Sequence, residues 1–268
     1  MRGKENPRKL LLTAKRIVVK IGTSSITDKN SKLDPQKVGK FVSDAMSLRA
    51  RGKEVIIVSS GAIGAGVGRL NLNDRPKEIS ALQATAAVGQ GILMQVYSRY
   101  FAEYQQPVAQ ILLTAEDFSD SRRYKNFKNM LAELMKWGVV PIVNENDSVA
   151  LEEIRVGDND LLSAQVAIGA NADLLVILSD VEGVYMNYVN KNKRGKLIRI
   201  VEKPTEVERH VSKSNRGFGG MLTKIKAAKM VSEKGTPVVI ASSAEEKVLE
   251  RIINGEEVGT LFLPGKKK

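Results

Sequence analysis

The chain contains no cysteine among its 268 residues, which excludes disulfides, thiol nucleophiles and thiolate metal sites. Histidine is almost absent too. The single His210 sits in the charged run Val207-Glu208-Arg209-His210-Val211-Ser212-Lys213 and reads as a solvated residue on a polar segment. A Ser-His-Asp hydrolase or a histidine-rich zinc site would have to rest on it alone. Aromatics make up only 5%, too few for base stacking along RNA. No apolar run approaches the roughly 18 residues that a membrane helix requires. The basic opening residues lack an apolar segment after them, so no secretory signal and a cytoplasmic setting are expected. The 43% apolar and 27% charged composition is that of a folded domain rather than a disordered chain.

The net charge of +12 is concentrated at the ends. Residues 1–16 contribute +5 and Lys266 to Lys268 contribute +3, leaving about +4 for the body. These runs read as solvated basic tails over residues 1–14 and 265–268, flanking one domain over 15–264. A nearly balanced body suits a small anionic substrate better than a nucleic-acid groove, so neither nucleic acid nor membrane is expected as a partner.

Apolar β-branched runs alternate with helical periodicity along the chain. Arg16 to Ile21, Glu54 to Val58, Val108 to Leu113, Val139 to Val143, Leu174 to Leu178 and Pro237 to Ala241 predict strands. Asp34-Pro35 supplies a cap and a proline at the first position of a helix closed by Gly52. Further helices are predicted over about 78–104, 123–137, 160–170 and 224–234. Strands apolar throughout and separated by helices describe one α/β domain with a mainly parallel sheet covered on both faces. The Asn- and Lys-rich segment Asn187 to Lys196 predicts an exposed hairpin or loop.

In such a sheet, ligands bind beyond the carboxyl ends of the strands. Polar or glycine-rich residues stand there after four strands: Lys20 to Ser25, Ser59 to Gly66, Asn144 to Asp147 and Ser179-Asp180. Gly61, Gly64, Gly66 and Gly68 suit either close phosphate approach or tight packing; neither of the two commonest phosphate-loop patterns is present. Lys20, at the end of an apolar strand, must meet solvent or an anion. Lys224 opens a helix after two glycines, where the helix dipole disfavours a cation unless an anion compensates. Asp158 and Asp160 around Asn159 can cap a helix, hold Mg²⁺ or orient lysines.

Seven ordered segments carry a wider pattern: Val18 to Ser24, Ser59 to Ile63, Ala87 to Gln90, Val143 to Asp147, Val156 to Asp160, Ser179 to Tyr185, and Gly219 to Met221 with Thr223-Lys224. With these motifs the chain, from about Arg16 to Leu263, resembles the amino-acid kinase family, and among its members those that phosphorylate the side-chain carboxylate of L-glutamate. The resemblance implies a three-layer αβα sandwich of the carbamate kinase-like kind, with a glutamate-binding part over about 15–170 and an ATP-binding part over about 171–264. It implies ATP as co-substrate with Mg²⁺, for which no protein ligands are assigned, L-proline as feedback inhibitor, and a homo-dimer or homo-tetramer. Carried over by position, Lys20, Lys224 and Asp160 are catalytic, the aspartate holding the two lysines. Ser60, Asp147 and Asn159 bind glutamate. Lys20, Gly22, Ser179, Asp180, Phe218, Gly219, Gly220, Met221, Leu222, Thr223 and Lys224 bind ATP. Many such members continue into an RNA-binding-type PUA domain, which this sequence stops short of. Other readings stay open: a family member acting on another carboxylate or on carbamate, or a non-catalytic nucleotide-binding protein. On the kinase reading, removal of residues 1–14 and 266–268 is expected to leave activity intact.

Overall fold

The computed structural model describes residues 6–150, 159–186, 195–214 and 219–265. After a 3₁₀ turn at Pro7–Thr13 come β1 (Arg16–Ile21), α1 (Thr23–Ile26), α2 (Pro35–Ala50), β2 (Glu54–Ser59), α3 (Ala62–Arg69), α4 (Ile79–Ala102) and β3 (Val108–Leu113). They are followed by α5 (Ala115–Ser119), α6 (Ser121–Lys136), β4 (Val140–Glu145), α7 (Asp160–Gly169), β5 (Leu174–Ser179), β6 (Tyr185–Met186) and β7 (Lys196–Leu197). The chain then forms β8 (Ile200–Val201), α8 (Pro204–Ser214), α9 (Gly219–Ser232), β9 (Val238–Ser242), α10 (Val248–Ile253) and β10 (Thr260–Phe262).

Eight strands form one sheet in the order β3-β4-β2-β1-β5-β9-β10-β8. Every neighbouring pair is parallel except β9 and β10. Both parts expected for glutamate and for ATP therefore share a single sheet. Side-chain alternation divides the core into two layers. Ile17, Val19, Ile21, Val55, Ile57, Leu174 and Val176 pack with α2, α4 and α10 on one face, while Val18, Ile56, Val58, Leu175 and Ile177 pack with α6, α7 and α9 on the other. Burial on both faces is why these strands read as unbroken apolar runs. The layering is the αβα sandwich the sequence implies.

Local chemistry accounts for most helix starts. Asp34 Oδ1 accepts from the Gln36 and Lys37 amides at 3.0 and 3.3 Å with Pro35 at the first position. Asp120 caps α6 in the same manner, moving its start to Ser121 from the expected Arg123. The glycines after β2 serve packing more than one purpose. Gly61 adopts φ +106°, the left-handed turn that redirects the chain into α3. At the α3–α4 crossing a Cβ on Gly66 would lie 2.0 Å from the Thr85 carbonyl oxygen, and one on Gly89 1.8 Å from that of Ala62. Only hydrogen fits there. Gly68 meets nothing closer than 3.6 Å and has no such constraint.

The amino-terminal segment departs from the expected solvated tail. Leu11 is fully buried, and Arg8 is 2% exposed. The Arg8 guanidinium donates to the carbonyls of Val258, Gly259 and Arg199 at 2.7, 2.9 and 3.1 Å. A charge thus fixes the start of the chain against the loop before β10, because carbonyls left behind there would otherwise be buried without donors. Deleting residues 1–14 is therefore expected to damage folding. Arg8→Ala is expected to lower stability by about 1–3 kcal/mol, read as an earlier thermal midpoint with unchanged kinetics.

β6 and β7 pair antiparallel, with Tyr185 opposite Leu197 and Met186 opposite Lys196. Residues 187–194 of the expected hairpin lie outside the described residues, as do Lys266 to Lys268. His210 is half-buried on α8 rather than freely solvated. Among the described residues, no helix is long and apolar enough to cross a membrane.

Candidate active site

Because β1, β2, β4 and β5 run parallel, their carboxyl ends open on one edge of the sheet. Lys20, next to last in β1, is 2% exposed and makes no escape to solvent. Its Nζ lies 2.8 Å from Oδ1 of Asp160, the first residue of α7 and itself fully buried. The other carboxylate oxygen, Oδ2, receives Lys224 Nζ at 3.1 Å and the Thr223 hydroxyl at 2.9 Å. Residues 20, 160 and 224, far apart in sequence, thus meet on one carboxylate. Asp160 is not spent as a helix cap; Asn159 occupies that position without a side-chain capping bond. An anion in the first turn of a helix is favoured by the helix dipole.

Two ammonium groups from distant parts of the chain thus share one buried carboxylate. Lys224 reaches the cluster by a different route from the one its sequence position suggests. α9 begins at Gly219 rather than at Lys224, so the lysine stands in the second turn. Helical side chains lean toward the amino terminus, and Lys224 Nζ accordingly donates to the Gly220 carbonyl at 3.1 Å. The cation sits beside the first turn after all.

Beside this cluster opens a cleft enclosing about 680 Å³, part of it continuous with solvent, lined by Ser60, Gly61, Arg75, Asn144, Glu145, Asp147 and Asn159 among others. It abuts the lysines: Asn159 precedes Asp160, and the Ser60 amide donates to Ile21, one residue beyond Lys20, at 3.2 Å. The Ser60 hydroxyl is buried and has no hydrogen-bond partner among the described residues. A group of that kind is normally satisfied, so a ligand oxygen or water is its natural complement. Asn159 Nδ2 donates to the Ser59 carbonyl at 2.7 Å and to Asn144 Oδ1 at 2.6 Å, and Asn144 Nδ2 donates to Gln90 Oε1 at 2.9 Å. This chain from α4 through β4 to α7 commits the Asn159 amide hydrogens to the protein and leaves its carbonyl oxygen to offer a ligand. Burial pushes the Asp147 carboxyl up to about 6, against the opposing pull of the Arg75 guanidinium.

The residues expected at the nucleotide divide between two places. Lys20, Lys224 and Thr223 gather on Asp160. A Cβ on Gly22 would lie 3.6 Å from Lys20 Nζ, so the backbone there passes close to the ammonium. Ser179 and Asp180 follow β5, with the serine hydroxyl donating to Asp180 Oδ1 at 3.2 Å. Asp180 lines a neighbouring cleft with Ser242, Ala244, Glu245 and Arg251. Gly219, Gly220, Met221 and Leu222 form the first turn of α9, and the Met221 side chain packs against the core. Phe218 and Asp158 lie outside the described residues.

Asn144 and Arg75 line the cleft, and Gln90 accepts from Asn144 behind it, although none of the three is assigned a role from the sequence. Asn144 had a visible signal in the Asn-Glu-Asn-Asp run at the end of β4, and Gln90 in the Ala87 to Gln90 motif. Arg75 had none, since it lies in a connection between helices.

The profile of the amino acid kinase family matches residues 15–242. A glutamate 5-kinase of Thermoanaerobacter sp. (strain X514) is 48% identical over 255 residues, covering 94% of this chain and 68% of its own length. One from Clostridium acetobutylicum is 45% identical over 262 residues, covering 97% of this chain and 98% of that relative. Among solved structures, the carbamate kinase from Giardia lamblia bound to AMP-PNP superposes with a TM-score of 0.67 at 17% identity, over 94% of this chain and 99% of that one, a likeness of fold. By motif, fold and sequence, the chain belongs to the amino acid kinase family.

Proposed function

We propose that this chain transfers the terminal phosphoryl group of ATP to the side-chain carboxylate of L-glutamate, giving L-glutamyl 5-phosphate and ADP, the entry step to proline. The observation that carries the reading is the shared carboxylate: Lys20 and Lys224 held on the two oxygens of Asp160, beside a cleft whose Ser60 hydroxyl has no partner among the described residues. The similarity to relatives called glutamate 5-kinases supports the choice of substrate.

A carboxylate is already ionised at neutral pH, so the reaction needs no general base. One glutamate carboxylate oxygen attacks the γ-phosphorus as the bond to the ADP oxygen breaks, and the electron pair leaves with ADP. The difficulty is bringing two anions together. Lys20 and Lys224 offset their repulsion and the charge on the equatorial oxygens, while Asp160 keeps both ammonium groups aimed at one place. Backbone N–H groups at Gly22 and at the Gly219–Gly220 start of α9 face phosphate oxygens. Ser60 donates to the reacting carboxylate, Asn159 holds the Ser59 carbonyl and Asn144 in place at that end, and Asp147 accepts the substrate ammonium. Mg²⁺ entering with ATP would offset charge on the phosphates beside the lysine pair.

Coupled ADP release with L-glutamate, N-acetylglutamate, aspartate and carbamate tests the reading. Glutamate is expected to be preferred, and preference for any of the others overturns the assignment. The reading places the enzyme in the cytoplasm as a homo-dimer or homo-tetramer inhibited by L-proline; light scattering and a proline titration of the initial rate test the last two.

The Asp147 carboxyl also sets a pH dependence. It must be ionised to hold an ammonium, and its acidity sits near pH 6 in the unliganded protein. As pH falls through 6 the carboxyl protonates and the attraction is lost. kcat/KM for glutamate is expected to be flat above pH 7 and to fall about tenfold per unit below 6. Asp147→Asn is expected to raise KM and abolish that inflection.

A further inference from the structure

From the layout of the cleft we infer that Arg75 is the residue that reads the α-carboxylate of the substrate and so restricts the enzyme to free α-amino acids. The inference rests on the glutamate reading above and deepens it. The cleft has two chemically distinct ends. Its inner end is Ser60 and Asn159, which adjoin Lys20 and Asp160 along the chain. The carboxylate that accepts the phosphoryl group has to lie at that end. Glutamate then extends outward and presents an ammonium and a second carboxylate to whatever lines the outer part.

Among the described residues lining the cleft, the acidic side chains are Glu145 and Asp147, and the one cation is Arg75. Asp147 accounts for the ammonium. A carboxylate taken from water into a cleft carrying two acidic groups requires a positive partner, and the lysines are already engaged at the far end by Asp160 and the transferring phosphoryl group. Arg75 also lies near enough to Asp147 to influence its ionisation, so one cation and one anion line the same cleft, as an amino acid carries two opposite charges on its α-carbon. The guanidinium fork matches a carboxylate with two parallel hydrogen bonds, a geometry that a lysine lacks.

The position of Arg75 in the chain fits this use. It lies in the connection between α3 and α4, and Pro76 after it confines its backbone to extended conformations. The two helices on either side are locked together at Gly66 and Gly89, so the connection starts and ends at fixed points. Arg75 is exposed as well as lining the cleft, so a substrate carboxylate can reach it from solvent.

The test compares L-glutamate with its α-amide, in which only the α-carboxylate is changed, in the unmodified enzyme and in Arg75→Ala. The unmodified enzyme is expected to favour glutamate strongly. In Arg75→Ala the KM for glutamate is expected to rise about 10- to 100-fold with kcat within a few-fold, and the preference over the α-amide to fall by a similar factor. Arg75→Lys is expected to recover part of the charge interaction and little of the discrimination. A raised KM with the glutamate-to-amide preference intact would assign Arg75 a structural role and overturn the inference, as would an unchanged KM. Failure of the unmodified enzyme to phosphorylate glutamate at all would instead remove the functional reading beneath it.

Discussion

Replacing either lysine by methionine is expected to lower kcat by roughly 10³-fold while leaving the glutamate KM within a few-fold. Methionine keeps much of the length and apolar stem of lysine and removes only the ammonium. Each ammonium is buried and fixed by Asp160, so its interaction with the phosphoryl oxygens is not diluted by solvent. Their charge matters most when negative charge spreads over the equatorial oxygens, and a group that acts chiefly there changes kcat rather than substrate binding. Initial-rate kinetics over both substrates check this. A large rise in glutamate KM at constant kcat would mean that Lys20 or Lys224 holds glutamate rather than the migrating group. The double variant is expected to lose much less than the product of the two single losses, because the pair acts as one unit through a shared carboxylate.

Asp160→Ala should damage both activity and folding. The carboxylate is fully buried and touches no substrate in this account, yet it aims both cations. Its loss takes from two buried ammonium groups the carboxylate they share. Breaking a buried ion pair by removing one partner costs about 3–5 kcal/mol. Loss of aim should lower kcat about as much as loss of a lysine. Bound ATP offers the missing anion, so the stability loss should shrink in the presence of Mg²⁺-ATP; in the unmodified protein the nucleotide should stabilise less. Thermal unfolding with and without nucleotide measures that difference. Equal nucleotide stabilisation in both proteins would count against the phosphates lying over the two lysines. Asp160→Asn keeps the shape and separates the effect of charge from that of packing.

How much of this was legible beforehand depended on distance along the chain. The strand Arg16 to Ile21 agrees with the sequence reading at both ends, because burial on two faces leaves a run of β-branched residues; Val108 to Leu113 agrees as well, although this edge strand is only partly buried. The Asp34-Pro35 cap was equally local. Contacts between remote positions were not readable in that way. Lys20, Asp160 and Lys224 were each notable alone, but no period or spacing joins residues separated by 140 and 64 positions; only the family pattern linked them. Arg8 was misread for the same reason. In a run with Arg2, Lys4 and Lys9 it reads as one more solvated cation, and the three carbonyls that bury it belong to the opposite end of the chain. Lys224 was placed at a helix start because Gly219-Gly220 reads as a break, whereas the helix begins on those glycines. Arg75 gave no sign at all, since an arginine in a connection is ordinary until the cleft is assembled around it.

The central claim is that two ammonium groups from distant parts of the chain act on one migrating phosphoryl group. A crystal structure with ADP, Mg²⁺, an aluminium fluoride mimic of the transferring group and L-glutamate measures this directly. The account predicts Lys20 Nζ and Lys224 Nζ both within hydrogen-bonding reach of the same fluoride-ligated centre, in line between the ADP oxygen and the glutamate side-chain carboxylate, with Asp160 still bridging them. Either lysine turned away from that centre, or the glutamate carboxylate seated outside the Ser60–Asn159 end of the cleft, would contradict it.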